Sequence, residues 1–237
     1  MLMLMLWSAP RSRSTAFYRM MTERGDFTGV HEPFSNVTVF GSVDISGKPL
    51  ATVPEVIAEL RALAAARQVF IKETTDRSHR EVLADRRFLA EDAQHTFLIR
   101  HPQETVRSYL AVRPDPRMDE IGFETQYEVY TEVSRLTGCD PLVVDDGDLM
   151  NRPADTVKAY CAQVGIDFRP EALRWQPSDR PEWQTFRHWF TDVAASSGLA
   201  EVPSRRTPDA GQHPMLDTYV EYHLPLYEKL YQRRLLV

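Results

Sequence analysis

The chain has 237 residues, 43% hydrophobic and 26% charged, which suits one globular domain with a sizeable core and excludes a disordered chain. A formal net charge of −6 argues against broad electrostatic binding to nucleic acid or an anionic membrane, so clustered arginines point to a local anion site. Its two cysteines, Cys139 and Cys161, form neither a Cys-x-x-Cys nor a Cys/His pattern. They read as packing residues in a reducing cytoplasm, with no structural metal expected.

The chain opens Met-Leu-Met-Leu-Met-Leu-Trp and then turns polar at Ser8. That run has no basic flank and is too short for a secretory leader or a membrane span, so it reads as a buried strand over residues 2–7. Further strands are expected at 29–31, 68–71, 96–99 and 142–144, alternating with helices at 14–23, 54–66, 102–111, 122–136 and 154–164. Pro102 is placed to open a helix, and Gly138 and Gly165 to end one. This alternation is that of an α/β three-layer sandwich with a central parallel sheet. Beyond Pro170 the texture changes: Trp175, Trp183 and Trp189 recur, 203–214 reads as a loop, and 215–235 reads as a closing helix broken or kinked at Pro225. We expect a single domain, with a core over 1–166 and a helical, loop-rich cap over 167–237.

Two segments read as anion sites. The first, Pro10-Arg11-Ser12-Arg13-Ser14-Thr15, runs from the first strand into a helix. A strand–loop–helix junction points backbone N–H groups and a helix dipole at one spot, and here hydroxyls and a forked guanidinium are added. The same residues also suit a plainly capped helix with exposed arginines. The segment is not a Walker A loop, since it has neither that motif's glycines nor its lysine. In the second, the strand at 96–99 ends in Arg100-His101-Pro102, with Ser108 eight positions after the arginine. Ligands bind at the carboxyl edge of open parallel sheets, which is where Arg100 falls.

These residues carry a resemblance to the sulfotransferases that use 3′-phosphoadenosine 5′-phosphosulfate (PAPS). The first segment resembles that family's 5′-phosphosulfate loop, in which proline is followed by a basic residue, a hydroxyl residue, glycine and two further hydroxyl residues. Arg13 stands where most members have glycine. Arg100, Pro102 and Ser108 resemble its 3′-phosphate motif, with His101 in place of the usual acid or amide. His31-Glu32-Pro33-Phe34 resembles the tetrad after the second strand in carbohydrate-type and bacterial members, and 143–149 resembles a strand end leading into the helix at Pro153. The likeness is strong to about Ile166 and weak beyond it, and the family's glycine-containing basic tail signature is absent.

The resemblance implies a P-loop nucleotide-kinase-like fold, with 1–166 as the nucleotide-binding core and 167–237 as the cap. It implies PAPS as co-substrate, adenosine 3′,5′-bisphosphate (PAP) as product, no metal, and a hydroxyl or amine of a small molecule as acceptor. Arg11, Ser12, Arg13, Ser14 and Thr15 would then hold the 5′ side of the donor, and Arg100 and Ser108 the 3′-phosphate. Arg11 and Lys72 are placed to stabilise charge on the leaving phosphate. Three candidates follow strand ends as the base for the acceptor's proton: Glu32, best placed by motif, His79 and Glu73. The residues Trp183, Phe186, Trp189 and Phe190 have the spacing of a buried helix face, or else line an acceptor pocket. Arg205 and Arg206 read as a solvated loop or as a further 3′-phosphate contact. A nucleotide or metabolite kinase and a non-catalytic nucleotide-binding module are the competing readings. No membrane or nucleic-acid partner is expected, and the oligomeric state stays open.

Overall fold

The computed structural model describes residues 1–180, 182–183, 187–199 and 213–237. In chain order its strands are β1 (Met3–Ser8), β2 (Phe27–His31), β3 (Val43–Ile45), β4 (Lys48–Leu50), β5 (Gln68–Thr74), β6 (Gln94–Ile99) and β7 (Leu142–Asp145). Five of them form one parallel sheet ordered β2-β5-β1-β6-β7, while β3 and β4 pair as a separate antiparallel hairpin. Strand β1 lies at the centre, which explains its unbroken apolar run: a parallel strand covered on both faces needs hydrophobic residues at every position. Met3, Met5 and Trp7 enter one core and Leu4 and Leu6 the other.

The helices are α1 (Ser14–Glu23), α2 (Pro33–Phe40), α3 (Val53–Ala66), α4 (Arg80–Ala84), α5 (Pro102–Leu110), α6 (Phe123–Thr137), α7 (Asp146–Asn151), α8 (Pro153–Val164), α9 (Arg187–Ala195) and α10 (Leu216–Tyr231). Helices α3, α5, α6 and α10 bury apolar faces in the first core, and α1 and α8 do so in the second, where Val193 of α9 joins them. The result is the three-layer α/β sandwich expected from the alternation of elements.

Several local expectations are corrected. Strand β5 runs on to Thr74, so Glu73 lies within the strand and not in the loop after it. Helix α10 continues through Pro225. Proline deprives the carbonyl four residues earlier of its partner, and that carbonyl belongs to Glu221, which faces water. Meanwhile Leu216, Tyr219, Tyr227 and Leu230 hold the helix on the core. After α10, Leu235 N donates to Val143 O at 2.8 Å, stitching the tail to the edge strand β7. Among the described residues, no helix is long and apolar enough to cross a membrane.

Candidate functional site

All five parallel strands end at one edge, so the segments after them converge there. Three of the four non-glycine residues with positive φ among those described lie at this edge: Arg11 (64°), Arg13 (58°) and Glu32 (50°). Each left-handed residue costs about 1–3 kcal/mol and persists only where its surroundings fix it. Here the surroundings are hydrogen bonds between loops. Arg11 O accepts from Arg100 Nη1 at 2.7 Å, and Arg13 O accepts from the N–H groups of Ala16 and Phe17 at 3.0 and 3.2 Å, starting α1. Arginine therefore takes up at position 13 the backbone conformation that glycine favours.

The Arg11 side chain joins the two anion segments. Its Nε donates to Ser108 Oγ at 3.0 Å and its Nη1 to Trp189 O at 2.9 Å, with Nη2 3.7 Å from Asp192. Arg100 Nε lies 3.2 Å from Asp146 Oδ2, and that same oxygen accepts from Arg13 Nη1 at 2.5 Å. Burial disfavours the Arg100 charge, Asp146 opposes this, and the net effect lowers a pKa so high that the group stays charged. His101, in place of the family's acid or amide, caps α5: its Nδ1 accepts from Gln103 N at 3.2 Å.

On the other side of the edge, Glu32 N donates to Lys72 O at 2.7 Å, and the Lys72 ammonium is paired with Glu32 Oε1. Burial pushes the Glu32 carboxyl up, but the charge and hydrogen bond of Lys72 oppose it and the group is held below the usual carboxylate range. His31 is pushed down to about 4 by burial, so it is neutral at pH 7. Glu73 is wholly buried and caps α2, accepting from Phe34 N at 2.8 Å, Ser35 N at 3.4 Å and Thr74 N at 3.0 Å. Burial and then the Glu32 charge raise it to about 8. Asp76 is raised to about 6 by burial and by Glu32, and its Oδ1 has no hydrogen-bond partner.

One pocket gathers most of the candidates. Arg11, Arg13, Ser14 and Thr15 line it from β1 and α1, Arg100 and Ser108 from β6 and α5, and Glu32 and Lys72 from β2 and β5. Ser12 sits beneath the loop, fully buried, with its Oγ lacking a partner. His79 is not among the lining residues. Its Nε2 lies 2.7 Å from Thr74 O, its ring meets Trp7 edge-on at 5.1 Å, and burial pushes it to about 4. It braces the Thr74 carbonyl from the core side. Trp175 and Trp183 are core residues, whereas half-buried Trp189 and Phe190 line the pocket with Tyr109 and Asp76. Phe186, Arg205 and Arg206 lie outside the described residues. Among the described residues no group of three or more His, Cys, Asp or Glu side chains is arranged to hold a metal ion.

Sequence reasoning missed Asp76, which lines the pocket, and Asp146, which holds two of its arginines from behind the wall. Asp146 stands in a strand-end segment already marked by resemblance, but Arg13, one of its two partners, is 133 residues away and no local spacing reveals it.

Comparison with known proteins fits this geometry. The family model described as a sulfotransferase domain matches residues 2–234. Branched-chain-amino-acid aminotransferase-like protein 1 of Arabidopsis thaliana is 26% identical over 240 residues, covering 94% of this chain and 40% of the relative. The like protein 2 of the same plant is 23% identical over 211 residues, covering 82% and 35%. This chain thus spans two-fifths or less of the length of these curated relatives. Among solved structures, the sulfotransferase domain from the Synechococcus PCC 7002 olefin synthase superposes with TM-score 0.56 at 20% identity, covering 100% of this chain and 88% of that one. The sulfotransferase domain from the curacin biosynthetic pathway gives 0.52 at 15%, covering 100% and 92%. At such identities these two structures establish the fold. With a match over nearly its whole length, the chain belongs to the sulfotransferase-domain family.

Proposed function

We propose that this protein transfers a sulfuryl group from PAPS to a hydroxyl or amine of a small-molecule acceptor and releases PAP. The observation that carries this reading is the Arg11 Nε–Ser108 Oγ bond. It brings two anion-type elements, 97 residues apart, to one pocket that also holds a buried lysine–carboxylate pair. The residues suit a donor with phosphates at both ends of its nucleoside. The α1 N-terminus, with Ser14 and Thr15, offers donors to the 5′ side, while Ser12 lies buried beneath the loop and off the pocket wall. Arg100 and Ser108 serve the 3′-phosphate. A kinase reading lacks its glycines and lysine in the loop after β1.

When bound, PAPS supplies an activated sulfur. As the new bond from the acceptor to sulfur forms, the bond from sulfur to the bridging oxygen breaks, and its electrons end on the leaving phosphate. Arg11 and Lys72 stabilise that charge, each fixed beforehand by neighbours, and such donors are worth about 3–4 kcal/mol apiece. Glu32, ionised and lining the pocket beside Lys72, accepts the acceptor's proton. His79 supports the loop and takes no proton. The chain's negative net charge supports a small acceptor over a nucleic acid, and its unpaired cysteines support a reducing cytoplasm.

The test is transfer of label from sulfur-35-labelled PAPS to an acceptor in fractionated small-molecule extract. We expect labelled product with the wild type, a large loss in Glu32→Gln and a small one in His79→Asn. Full activity in Glu32→Gln with none in His79→Asn would transfer the base role to His79. No label transfer from PAPS, with transfer from ATP instead, would overturn the donor assignment.

A further inference from the structure

Asp146 is used by nothing in the reading above, yet it sits at its centre. It opens α7 directly after β7, is 3% exposed, and does not line the pocket. Its Oδ2 holds the guanidinium groups of Arg13 and Arg100 at once, at 2.5 and 3.2 Å. Those arginines come from different loops, after β1 and after β6, and both line the pocket. Two guanidinium groups brought to one atom repel each other strongly where water is scarce. A carboxylate between them offsets that repulsion and fixes the two heads side by side. One carboxylate does not neutralise two guanidinium groups. Glu104, 3.4 Å from Arg100 Nη2 with a side chain 45% exposed, is screened by solvent and adds little to the balance.

The backbone gives an independent argument. Position 13 holds a left-handed conformation, φ 58°, which strains any residue with a Cβ and suits glycine. An arginine kept under that strain, with its side chain turned to a buried carboxylate beside Arg100, serves a purpose that the backbone alone does not require.

We infer that Arg13 and Arg100, fastened together by Asp146, form one receptor for the donor's 3′-phosphate, with Asp146 a positioning residue that does not touch the ligand. This rests on the PAPS reading and deepens it. Arg13 is thereby a selectivity residue for 3′-phosphorylated nucleotides, not part of the 5′ cradle where the sequence motif puts it.

The experiment is calorimetric titration of the wild type, Arg13→Gly, Asp146→Asn and the double variant with PAP and with adenosine 5′-monophosphate. Glycine accepts φ 58° without strain, so Arg13→Gly keeps the loop backbone. Loss of a charged hydrogen-bonding partner predicts PAP binding weakened about ten- to a hundredfold, with monophosphate binding changed less than about threefold. Asp146→Asn lowers the PAP-to-monophosphate preference in the same direction. When Asp146→Asn is already in place, the further change Arg13→Gly costs much less, because the two side chains act as a unit. Equal loss for both nucleotides in Arg13→Gly, or none for PAP, overturns the inference. Tighter PAP binding by Asp146→Asn also overturns it, since the carboxylate would then be a competitor for the arginines. A wild type that does not prefer PAP contradicts the donor reading itself, whereas a wild type that prefers PAP with variants that keep the preference contradicts this inference alone.

Discussion

The two halves of the pocket hold their charges differently. On the β1–β6–β7 side, three arginines are tied across loops: Arg11 to Ser108, Arg100 to the Arg11 carbonyl, and Arg13 and Arg100 to Asp146. Every cation there is fixed by a partner from another strand end, giving a rigid, net positive receptor. On the β2–β5 side, one lysine and one glutamate form a buried pair, with the carboxyl of Asp76 nearby. Charge there is balanced locally, with Glu32 and Asp76 set against Lys72 and Arg77 along the pocket wall. The first arrangement suits static recognition of anions and the second suits moving a proton. The lesson is that an anion receptor gains from over-determination, while a proton-handling group must keep one bond to exchange.

If this contrast holds, damage on the β2–β5 side falls on turnover and damage to Arg13 or Arg100 falls on binding, while Arg11, which meets the leaving phosphate, affects both. The largest effect is expected for Glu32→Gln: turnover drops about 10²–10⁴-fold with PAP affinity unchanged, as read by steady-state kinetics beside calorimetry. Lys72→Met costs roughly 10²–10³-fold in turnover. It also shifts the pH profile with a definite sign. Lys72 is what holds Glu32 low against burial, so without it the carboxyl rises and the acid limb of kcat/KM moves to higher pH. An unmoved limb would show that Glu32 is not the titrating group. Arg100→Ala weakens PAP binding about ten- to a hundredfold and adenosine 5′-monophosphate binding far less. The smallest effect sharpens the contrast through stability. Asp76 is raised to about 6 from 3.8, so unfolding is increasingly favoured as pH climbs through that window and the full penalty applies above it. Asp76→Asn should therefore melt higher than the wild type at pH 8, by about 2–4 °C for each kcal/mol recovered, and equally with it at pH 3.

Much of the scaffold was legible because each sheet strand carries its own signal. The apolar runs at 2–7 and 96–99 needed only a shift of a residue or two at their ends to become β1 and β6. Helix α2 was not legible: its start is set by the Glu73 carboxyl group, a partner 39 residues away. Helix α10 misled because proline was weighed without its neighbours: Glu221, which loses its partner to Pro225, is an exposed residue, and the apolar side chains of the helix hold it on the core. In the site, Arg11, Arg100, Ser108, Glu32 and Lys72 were named from local pattern and the fold brings them to one pocket. His79 shared that pattern but points its ring into the core beside Trp7, a choice made by packing that no spacing encodes. Arg13 looked like a flaw in the loop because its compensating residue, Asp146, is distant in sequence.

The central claim is that the two strand-end elements joined by Arg11 and Ser108 form a single site for a nucleotide phosphorylated at both its 3′ and 5′ positions. Calorimetric titration of the wild-type protein with PAP and, separately, with ATP and magnesium tests it most directly. The account predicts one-to-one binding of PAP, at least about tenfold tighter than ATP, and weakened in both Arg11→Ala and Arg100→Ala. Tighter binding of ATP, or PAP binding that ignores both substitutions, would contradict it.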